Sequence, residues 1–235
     1  MSLKQEEQDR IWEHFQTHSR ASFDLSYPRL RFLAEKCKRG SRVLNIGVGS
    51  GDLERFLQRR GVEVYSLDPS AESIERLRAE LQMGDRARQG YGQDIPFEPG
   101  YFDKVIMTEV LEHLATGTLH DTLDEVRRVL KSGGELTGTV PFREDLAANE
   151  VLCPACQTQF HRWGHEQRFD AASLRALFAE HGLEVTCAYP RAFPDFRRPG
   201  MALFVKAAFR YLLGRLGEPL VGPNLYFSAT LRPNT

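Results

Sequence analysis

The feature that most constrains the fold is a glycine-rich turn that directly follows an apolar strand. Residues 43–46 are predominantly apolar, and Gly47-x-Gly49-x-Gly51 follows them at once. Glycine accepts positive φ and lets the backbone approach a bound group closely, which a side chain would prevent. A second apolar strand ends at Asp68, where a carboxylate can accept hydrogen bonds from ribose hydroxyls. These segments predict the nucleoside-binding half of an α/β sheet.

The composition argues against several classes of protein. The 235 residues suit one large domain, and a net charge of −1 gives no support for a general nucleic-acid or membrane-surface binder. No apolar run reaches the roughly 20 residues that a bilayer-spanning helix requires. Residues 1–10 are polar and charged, without the pattern of a signal peptide, and the chain has only four cysteines. We therefore expect a cytoplasmic protein.

Alternating strand and helix patterns predict a doubly wound α/β domain. Short loops between them favour a mostly parallel, seven-stranded Rossmann-like sheet with helices on both faces. The predicted strands cover residues 43–46, 62–67, 87–91, 103–108, 135–140, 183–189 and 224–231. The predicted helices cover residues 52–60, 70–82, 119–131, 171–181 and 200–216. We expect an N-terminal helical cap at 1–38, a domain at 39–235, and lid insertions at 142–169 and 190–217.

Further segments give the chain a resemblance to a known family. After the third predicted strand, residues 93–97 read Gln-Asp-Ile-Pro-Phe, and Phe102-Asp103 opens the fourth strand. Together with the glycine loop, these segments resemble the class I S-adenosylmethionine (SAM)-dependent methyltransferases over about residues 38–140. The glycine spacing taken alone would also suit a fold that binds NAD.

The resemblance implies a SAM site built from the glycine loop and two acids. In that family the loop touches the methionine end of SAM, an acid after the second strand binds ribose, and an acid after the third faces adenine. These roles fall here on Gly47, Gly49, Gly51, Asp68 and Asp94. The chain departs from the family at Asn45, where Asp or Glu is usual. Asparagine can still accept a hydrogen bond, but it lacks the charge that attracts the cationic cofactor.

The fourth predicted strand runs directly into a cluster of titratable residues. Ligands of open α/β sheets bind at the carboxyl ends of strands, so this cluster should border the pocket. In one helical turn, Glu109, Glu112 and His113 would share a face. His113 could act as general base for a hydroxyl proton, since imidazole titrates near neutral pH. Alternatively, all three could hold a divalent cation that lowers the pKa of the acceptor hydroxyl.

The Glu109-x-x-Glu112-His113 pattern resembles two branches of the methyltransferase family. In small-RNA 3′-terminal 2′-O-methyltransferases the two Glu, the His and a later His bind a metal, and His165 matches that later His. Ubiquinone-pathway O-methyltransferases contain a similar segment. The alternative without a catalytic role is the start of a helix, where a Glu side chain interacts favourably with the helix dipole.

The predicted insertion 142–169 contains a motif of zinc type. Cys153 and Cys156 are followed by His161 and His165, so four ligands fall within thirteen residues. This spacing predicts a structural zinc, the alternative being a reduced Cys-Pro-x-Cys turn with surface histidines. Redox chemistry is less favoured, because no thioredoxin-like βαβ unit surrounds the pair. His165 either completes the zinc set, or it joins the pocket and the zinc takes a fourth ligand from elsewhere.

The second predicted insertion carries a basic amphipathic helix near 200–216. Its apolar residues are interspersed with Lys206, Arg210 and Arg215. The helix could lie on a membrane surface, dock a partner or grip an anionic acceptor. We favour instead a lid over the pocket with its aromatic side chains packed inward, because helical apolar stripes usually belong to the core.

Together these features predict a SAM-dependent methyltransferase that methylates a hydroxyl of a small metabolite, sugar or glycan. Glu109, Glu112 and His113 are the predicted catalytic residues, with His165 as a fourth. RNA 2′-O-methylation is the alternative, although the chain lacks a strong basic stripe outside residues 191–215. The non-enzymatic alternative is a SAM-fold binding or regulatory module without turnover.

Overall fold

The computed structural model describes residues 7, 8, 10, 11, 26–195, 201–216, 218 and 223–232. Its strands are β1 (Arg42–Ile46), β2 (Glu63–Asp68), β3 (Ala87–Gln89), β4 (Phe102–Thr108), β5 (Leu130–Pro141), β6 (Glu150–Leu152), β7 (Gln159–His161), β8 (Leu183–Arg191) and β9 (Asn224–Leu231). Its helices are α1 (Tyr27–Glu35), α2 (Asp52–Arg59), α3 (Ala71–Leu81), α4 (Thr116–Val129), α5 (Ala171–Glu180) and α6 (Met201–Arg215).

Seven of these strands form one sheet in the order β3-β2-β1-β4-β5-β9-β8. β1 pairs in parallel with β2 and β4, and β3 and β5 extend these pairings outward, also in parallel. β9 is antiparallel to both of its neighbours, β5 and β8. The prediction of a mostly parallel seven-stranded sheet is confirmed. β6 and β7 form a separate antiparallel hairpin.

Alternating side chains of the central strands supply two hydrophobic layers. On β1, Leu44 packs into the layer that α4 and α5 cover, whereas Val43 packs into the layer that α1, α2 and α3 cover. Val105 and Ile106 of β4 divide in the same way. Because successive strand residues point to opposite faces, a strand with helices on both sides must be apolar on both. Continuous apolar runs therefore mark the central strands of this chain.

The structure shifts several of the predicted boundaries. The helix expected at 119–131 begins at Thr116 and ends at Val129, and β5 follows it without a break. The predicted insertion 142–169 contains the β6–β7 hairpin. The short hairpin gives this insertion backbone hydrogen bonds of its own, where a structureless loop would leave them to water.

The predicted cap at 1–38 contains α1 and contacts the segment after β4. Gln8 donates through Nε2 to the carbonyl oxygens of His113 and Gly164, at 2.7 and 2.6 Å. The pattern of the cap predicts a break in the helix at residues 22–28, of which residues 22–25 lie outside the described residues and Tyr27 already begins α1. The buried Gln8 amide therefore ties the N-terminal segment to the two segments that flank the pocket.

The expectation that aromatic side chains pack inward is wrong for Phe204 and Phe209 of helix α6. Phe204 and Phe209 are 52% and 60% exposed, and the buried residues of the helix are Ala207 and Gly214. A Cβ on Gly214 would lie 2.4 Å from the Cβ of Ala192, so only the smallest residue permits this close approach. The small side chains face the protein, Phe204 and Phe209 lie outside, and Tyr211 is half-buried against Arg191. None of the described helices is long and apolar enough to cross a membrane.

Close packing between β4 and β5 depends on Gly138. A Cβ added there would lie 1.7 Å from the carbonyl oxygen of Met107 and 2.8 Å from Cζ of Phe227. We expect Gly138→Ala to lower the free energy of unfolding by about 3 kcal/mol or more, because the neighbouring strand would have to move. Urea denaturation monitored by circular dichroism measures this change.

Gly117 provides the matched control for that substitution. It lies in the first turn of α4, and no described atom comes within 4 Å of an added Cβ. We expect Gly117→Ala to change the free energy of unfolding by less than about 1 kcal/mol, in the stabilising direction. Equal denaturation midpoints for the two variants would refute the assigned role of Gly138.

Candidate active site

A cavity of about 310 Å³ opens at the carboxyl ends of β1, β2 and β4. This is where a doubly wound sheet binds its ligands, because the strand order reverses there and the flanking helices diverge. Residues 47–50 and 90–93 line the cavity together with Glu109, His113 and His165. Of the described residues of α6, none lines it.

The glycine loop presents backbone to the cavity. Gly47 has a φ of 86°, and a Cβ there would lie 2.7 Å from Cγ2 of Val110. Gly47 and Gly49 both line the cavity, whereas Gly51 does not. Gly51 is the N-cap of α2, and its α-carbon packs so close to Leu77 that an added Cβ would lie 2.8 Å from Cδ2 of that leucine. The first two glycines therefore serve the cavity and the third serves the packing of α2.

Asp68 ends β2 as a buried carboxylate that two backbone donors hold in place. Its Oδ2 accepts from the amide of Val48 and its Oδ1 from the amide of Ser70, both at 2.8 Å. Asp68 also lines the cavity, where a carboxylate can accept from a ligand hydroxyl. Asp94 is exposed and is not a lining residue, and Gln93 stands at the cavity wall instead.

Asn45 does not line the cavity but binds a buried carboxyl group. Its Nδ2 donates to Oε1 of Glu54 at 2.7 Å, and Oγ of Ser66 donates to the same oxygen at 2.9 Å. Burial raises the pKa of the Glu54 side chain. Within the described residues, Oε2 of Glu54 and Oδ1 of Asn45 have no hydrogen-bond partner. An amide at position 45 suits this neighbour, since a second acid would bury two like charges together.

Glu109 follows β4 with a φ of 55°, in the left-handed region. Its carboxylate accepts from Nδ2 of Asn224 at 2.9 Å and from Oγ1 of Thr139 at 2.8 Å, and the Arg29 guanidinium lies 3.3 Å away. Left-handed backbone in a non-glycine residue costs of order 1–3 kcal/mol and persists only where the surroundings hold it. These three partners hold Glu109 in the cavity wall.

Glu112 and His113 lie in a 3-10 turn, Leu111–His113, where a helical turn over 109–113 was expected. Glu112 is 1% exposed, and among the described residues neither of its carboxylate oxygens has a hydrogen-bond partner. Burial, reinforced by the charge of Glu109, raises the pKa of Glu112 well above its usual range. Burial, together with His165, lowers the pKa of His113 to about 3. The His113 imidazole is therefore neutral at pH 7.

Glu144 determines which nitrogen of His165 carries a proton. Its Oε2 lies 2.5 Å from Nδ1 of His165, and a carboxylate can only accept, so Nδ1 carries a proton and points at Glu144. His161 has the opposite arrangement, because its Nδ1 accepts from the backbone amide of His165 at 3.1 Å. Its proton is thus on Nε2, 3.5 Å from Oε1 of Glu144. These three side chains lie close enough for a cation, but the protonated nitrogen of His161 excludes it as a ligand.

Glu112, His113 and His165 bring three ligand atoms within 4.8 Å of one another. A glutamate and two histidines suit a transition-metal ion, which would displace the proton that burial favours on Glu112. The fit is supported by Glu112, because a buried carboxylate normally has hydrogen-bond partners and this one has none among the described residues. Glu144 would stand behind His165 as the carboxylate that metal-binding histidines typically bond through their other nitrogen. Glu109 does not belong to this set.

Cys153 and Cys156 lie between β6 and β7, apart from this cluster. Cys156 is exposed, and hydrogen bonds with Thr158 lower the pKa of its thiol. In the described part of the chain, neither cysteine belongs to a group of three side chains that could hold a metal. His161 and His165 instead contact Glu144. The structure therefore does not bring together the four residues of the expected zinc motif.

Several residues that shape the site belong to no motif. Arg29 comes from α1, Glu144 from the insertion, and Asn224 from the first position of β9. Asn224 reaches Glu109 because it pairs with Pro141 of β5, at the cavity edge of the sheet. The position of Glu144 shortly after β5 could have indicated that it lies near the site, since the strand ends of this sheet border the cavity. Nothing in the sequence marks Arg29 or Asn224.

Comparison with known proteins places this chain among methyltransferases. A family model described as a methyltransferase domain matches residues 15–188, more than half of the 235 residues. The malonyl-[acyl-carrier protein] O-methyltransferase of Enterobacter lignolyticus (strain SCF1) is 30% identical over 186 residues. That match covers 76% of this chain and 71% of the relative.

Solved structures share the fold over nearly the whole chain. One similar chain belongs to a complex between the Haloferax volcanii Trm112 methyltransferase activator and a methyltransferase. It has a TM-score of 0.70 at 22% identity, and the match covers 94% of this chain and 97% of that one. The Burkholderia thailandensis 1,6-didemethyltoxoflavin-N1-methyltransferase, with bound 1,6-didemethyltoxoflavin and S-adenosylhomocysteine, has a TM-score of 0.66 at 15% identity, covering 96% and 87%. At these identities the likeness concerns the fold.

The buried Glu54 carboxyl group makes stability depend on pH. Its pKa in the folded protein is raised above its ordinary value of 4.5, so its stabilising contribution is complete below that value and is lost as pH rises through the folded pKa. We expect wild type to lose stability relative to Glu54→Gln as pH rises from about 4.5 through the folded pKa, by up to roughly 1.4 kcal/mol per pH unit.

Denaturation midpoints of the two proteins across this pH range test that expectation. Glu72→Gln, at an exposed position of α3, controls for replacing a glutamate by glutamine. Parallel curves for wild type and Glu54→Gln would mean that the buried carboxyl group does not take up a proton on folding.

Proposed function

Because the chain belongs to the methyltransferase-domain family and is a SAM-dependent methyltransferase, we propose that it methylates a hydroxyl oxygen of a small metabolite or a sugar. The observation that carries this proposal is the cluster of Glu112, His113 and His165 beside the cavity, with both Glu112 oxygens unpartnered among the described residues. Hydroxyl oxygen is a weak nucleophile until it loses its proton. A cation held by one glutamate and two histidines would supply the means to promote that loss.

The cofactor-binding part of the cavity is assigned to the glycine loop and Asp68. Gly47 and Gly49 let the backbone approach the methionine end of SAM, and Asp68 is placed to accept from the ribose hydroxyls. Asn45 and Gly51 support this part from outside, Asn45 through Glu54 and Gly51 through the start of α2. Gln93, which lines the cavity, stands closer to the ligand space than Asp94 does.

Methyl transfer needs two reactants in line and one proton removed. The bond between oxygen and the methyl carbon forms as the carbon–sulfur bond of SAM breaks, which leaves S-adenosylhomocysteine and a methyl ether. The chain therefore acts mainly by alignment, which can remove a large part of the barrier. We assign alignment of the acceptor to the residues of the cavity wall outside the cofactor part, among them Arg29, Glu109 and Trp163.

Of the two roles considered for the cluster, cation binding has the better physical support. A base whose conjugate acid has a pKa of about 3 holds a proton poorly, so His113 is a weak general base at neutral pH. The neutral imidazole of His113 can nevertheless act as a metal ligand. When bound, a divalent cation would lower the pKa of the acceptor hydroxyl. Glu112, His113 and His165 would hold it, and Glu144 would orient His165.

The similar proteins differ in the atom that their names give as methylated. The protein from Enterobacter lignolyticus is an O-methyltransferase by name, and the one from Burkholderia thailandensis is an N1-methyltransferase by name, so the proposal of a hydroxyl oxygen rests on the cluster. RNA is the alternative acceptor that the resemblance of the Glu109–His113 segment suggests. A net charge of −1 favours a small acceptor over RNA. Zinc at Cys153 and Cys156 stays a prediction, and it would need ligands other than the two histidines that contact Glu144.

The cofactor assignment is tested with Asp68→Asn and its matched control Asp94→Asn. Loss of a charged acceptor for the ribose hydroxyls should weaken S-adenosylhomocysteine binding by about 10- to 100-fold. The exposed Asp94 should matter much less, with a change below roughly threefold. Isothermal titration calorimetry with S-adenosylhomocysteine measures both constants. A larger loss in Asp94→Asn than in Asp68→Asn would contradict the assignment.

The cation assignment is tested by titrating metal-free protein with Zn²⁺ and Mn²⁺ in a graded series. Glu144→Gln should weaken binding by about 10- to 100-fold, because it removes only the partner of a ligand. Glu112→Gln, which removes a ligand, should weaken it further. A protein carrying both Cys153→Ser and Cys156→Ser should bind as wild type does at the buried cluster.

Methyl transfer from labelled SAM to panels of sugars, phenols and short RNA is followed in parallel. Full transfer after chelation, with loss of transfer in His113→Ala, would replace cation assistance by general-base catalysis. Binding of the cation that depends on the cysteines and not on Glu112 would place the metal at the zinc motif instead.

A further inference from the structure

The outer face of α6 is the largest concentration of exposed apolar side chains in the described part of the chain. Seven of the ten exposed large apolar side chains lie within residues 201–216. The outer face consists of Met201, Val205, Phe209, Leu212 and Leu216, each more than half exposed. Their spacing of three or four residues places them on one side of the helix. A contiguous exposed apolar surface of this kind marks an interaction site.

This orientation follows from how α6 packs. Ala207 and Gly214 face the protein, and the close approach of Gly214 to Ala192 leaves no room for a larger side chain. The guanidinium of Arg191 lies over the Tyr211 ring at 5.3 Å, which adds a contact on the same side. The apolar outer face is therefore the side that the described residues leave uncovered, and rotation of the helix to bury it would drive large residues against Ala192.

The charges of α6 are of one sign. Residues 201–216 contain Lys206, Arg210 and Arg215 and no acidic residue, in a chain whose net charge is −1. Cations beside an apolar stripe favour an anionic surface, because each basic residue gains attraction from anionic headgroups while the stripe enters the acyl boundary. Two copies of α6 facing each other would instead bring six cations together, which opposes self-association.

The position of α6 connects this surface to the cavity. β8 and β5 both pair with β9 in antiparallel fashion, and Asn224 pairs with Pro141 on one side and with Arg191 on the other. The end of β8 therefore lies at the same edge of the sheet as the cavity, and α6 follows that end. Asn224 also bonds Glu109 in the cavity wall. A surface that covers the outer face of α6 would adjoin the cavity edge of the sheet.

We propose that α6 docks the protein on an anionic lipid surface. Its outer face inserts at the boundary between headgroups and acyl chains, and Lys206 and Arg215, which flank that face, supply the attraction to lipid phosphates. Docking of this kind holds the cavity edge of the sheet next to the bilayer. The inference is independent of which atom the enzyme methylates and of whether the cluster around Glu112 binds a cation.

Vesicle flotation with the full chain tests the proposal. We expect binding to vesicles of phosphatidylcholine with phosphatidylglycerol, and binding more than about tenfold weaker to vesicles of phosphatidylcholine alone. Leu212→Glu should weaken binding to the anionic vesicles by more than about tenfold. Leu152→Glu is the matched control, since Leu152 is 56% exposed and Leu212 is 59% exposed. It should bind as wild type does.

Both substituted positions are exposed, so the circular dichroism spectra should match wild type and confirm the fold. No flotation with anionic vesicles, or an equal loss in Leu152→Glu and Leu212→Glu, overturns the proposal. Sedimentation equilibrium provides the other decisive outcome. A dimer of wild type that Leu212→Glu dissociates would assign the outer face to a second copy of the chain and overturn lipid docking.

Discussion

The reversal of strand order between β1 and β4 is the constraint on which the site depends. The chain moves outward from β1 to β2 and β3, and then returns to place β4 on the other side of β1. The helices that follow therefore pack on opposite faces of the sheet, and the connections after β1 and β4 diverge. The cavity is the space between them. The glycine loop follows the end of β1 and Glu109 follows the end of β4, so the strand order alone brings the residues proposed to bind the cofactor next to titratable residues.

The antiparallel strand β9 adds a second constraint, because its first residue reaches the cavity edge where a parallel strand would bring its last. This places Asn224 beside Glu109, whose left-handed backbone requires support. Thr139 from β5 and Arg29 from α1 complete that support. The carboxylate of Glu109 is thus committed to three protein donors. Glu112, which has no such donors among the described residues, is left as the carboxylate of the turn with capacity for a further partner.

The parts of this protein that sequence could predict are those set by local pattern. Apolar runs marked the central strands, and the Gly47–Gly51 spacing marked the turn, because both follow from backbone geometry. The role of Asn45 could not be read in this way, since it depends on Glu54 and Ser66, which only the folded sheet brings to it. The zinc-type spacing was similarly incomplete. It gave the order of cysteines and histidines, but Glu144 determines where the histidine rings point.

Helix α6 also shows a limit of prediction from local sequence pattern. Its periodicity predicted an amphipathic helix correctly, yet the face that packs was decided by close approach at Gly214 and not by hydrophobicity. Burying a large apolar side chain is favourable only where the neighbouring backbone leaves a space of its size. At Ala192 there is none, so the small residues take the inner side and the large ones remain outside. The segments proposed to bind SAM are therefore recognisable from short-range sequence pattern. The residues that would select the acceptor depend instead on contacts among segments far apart in the chain.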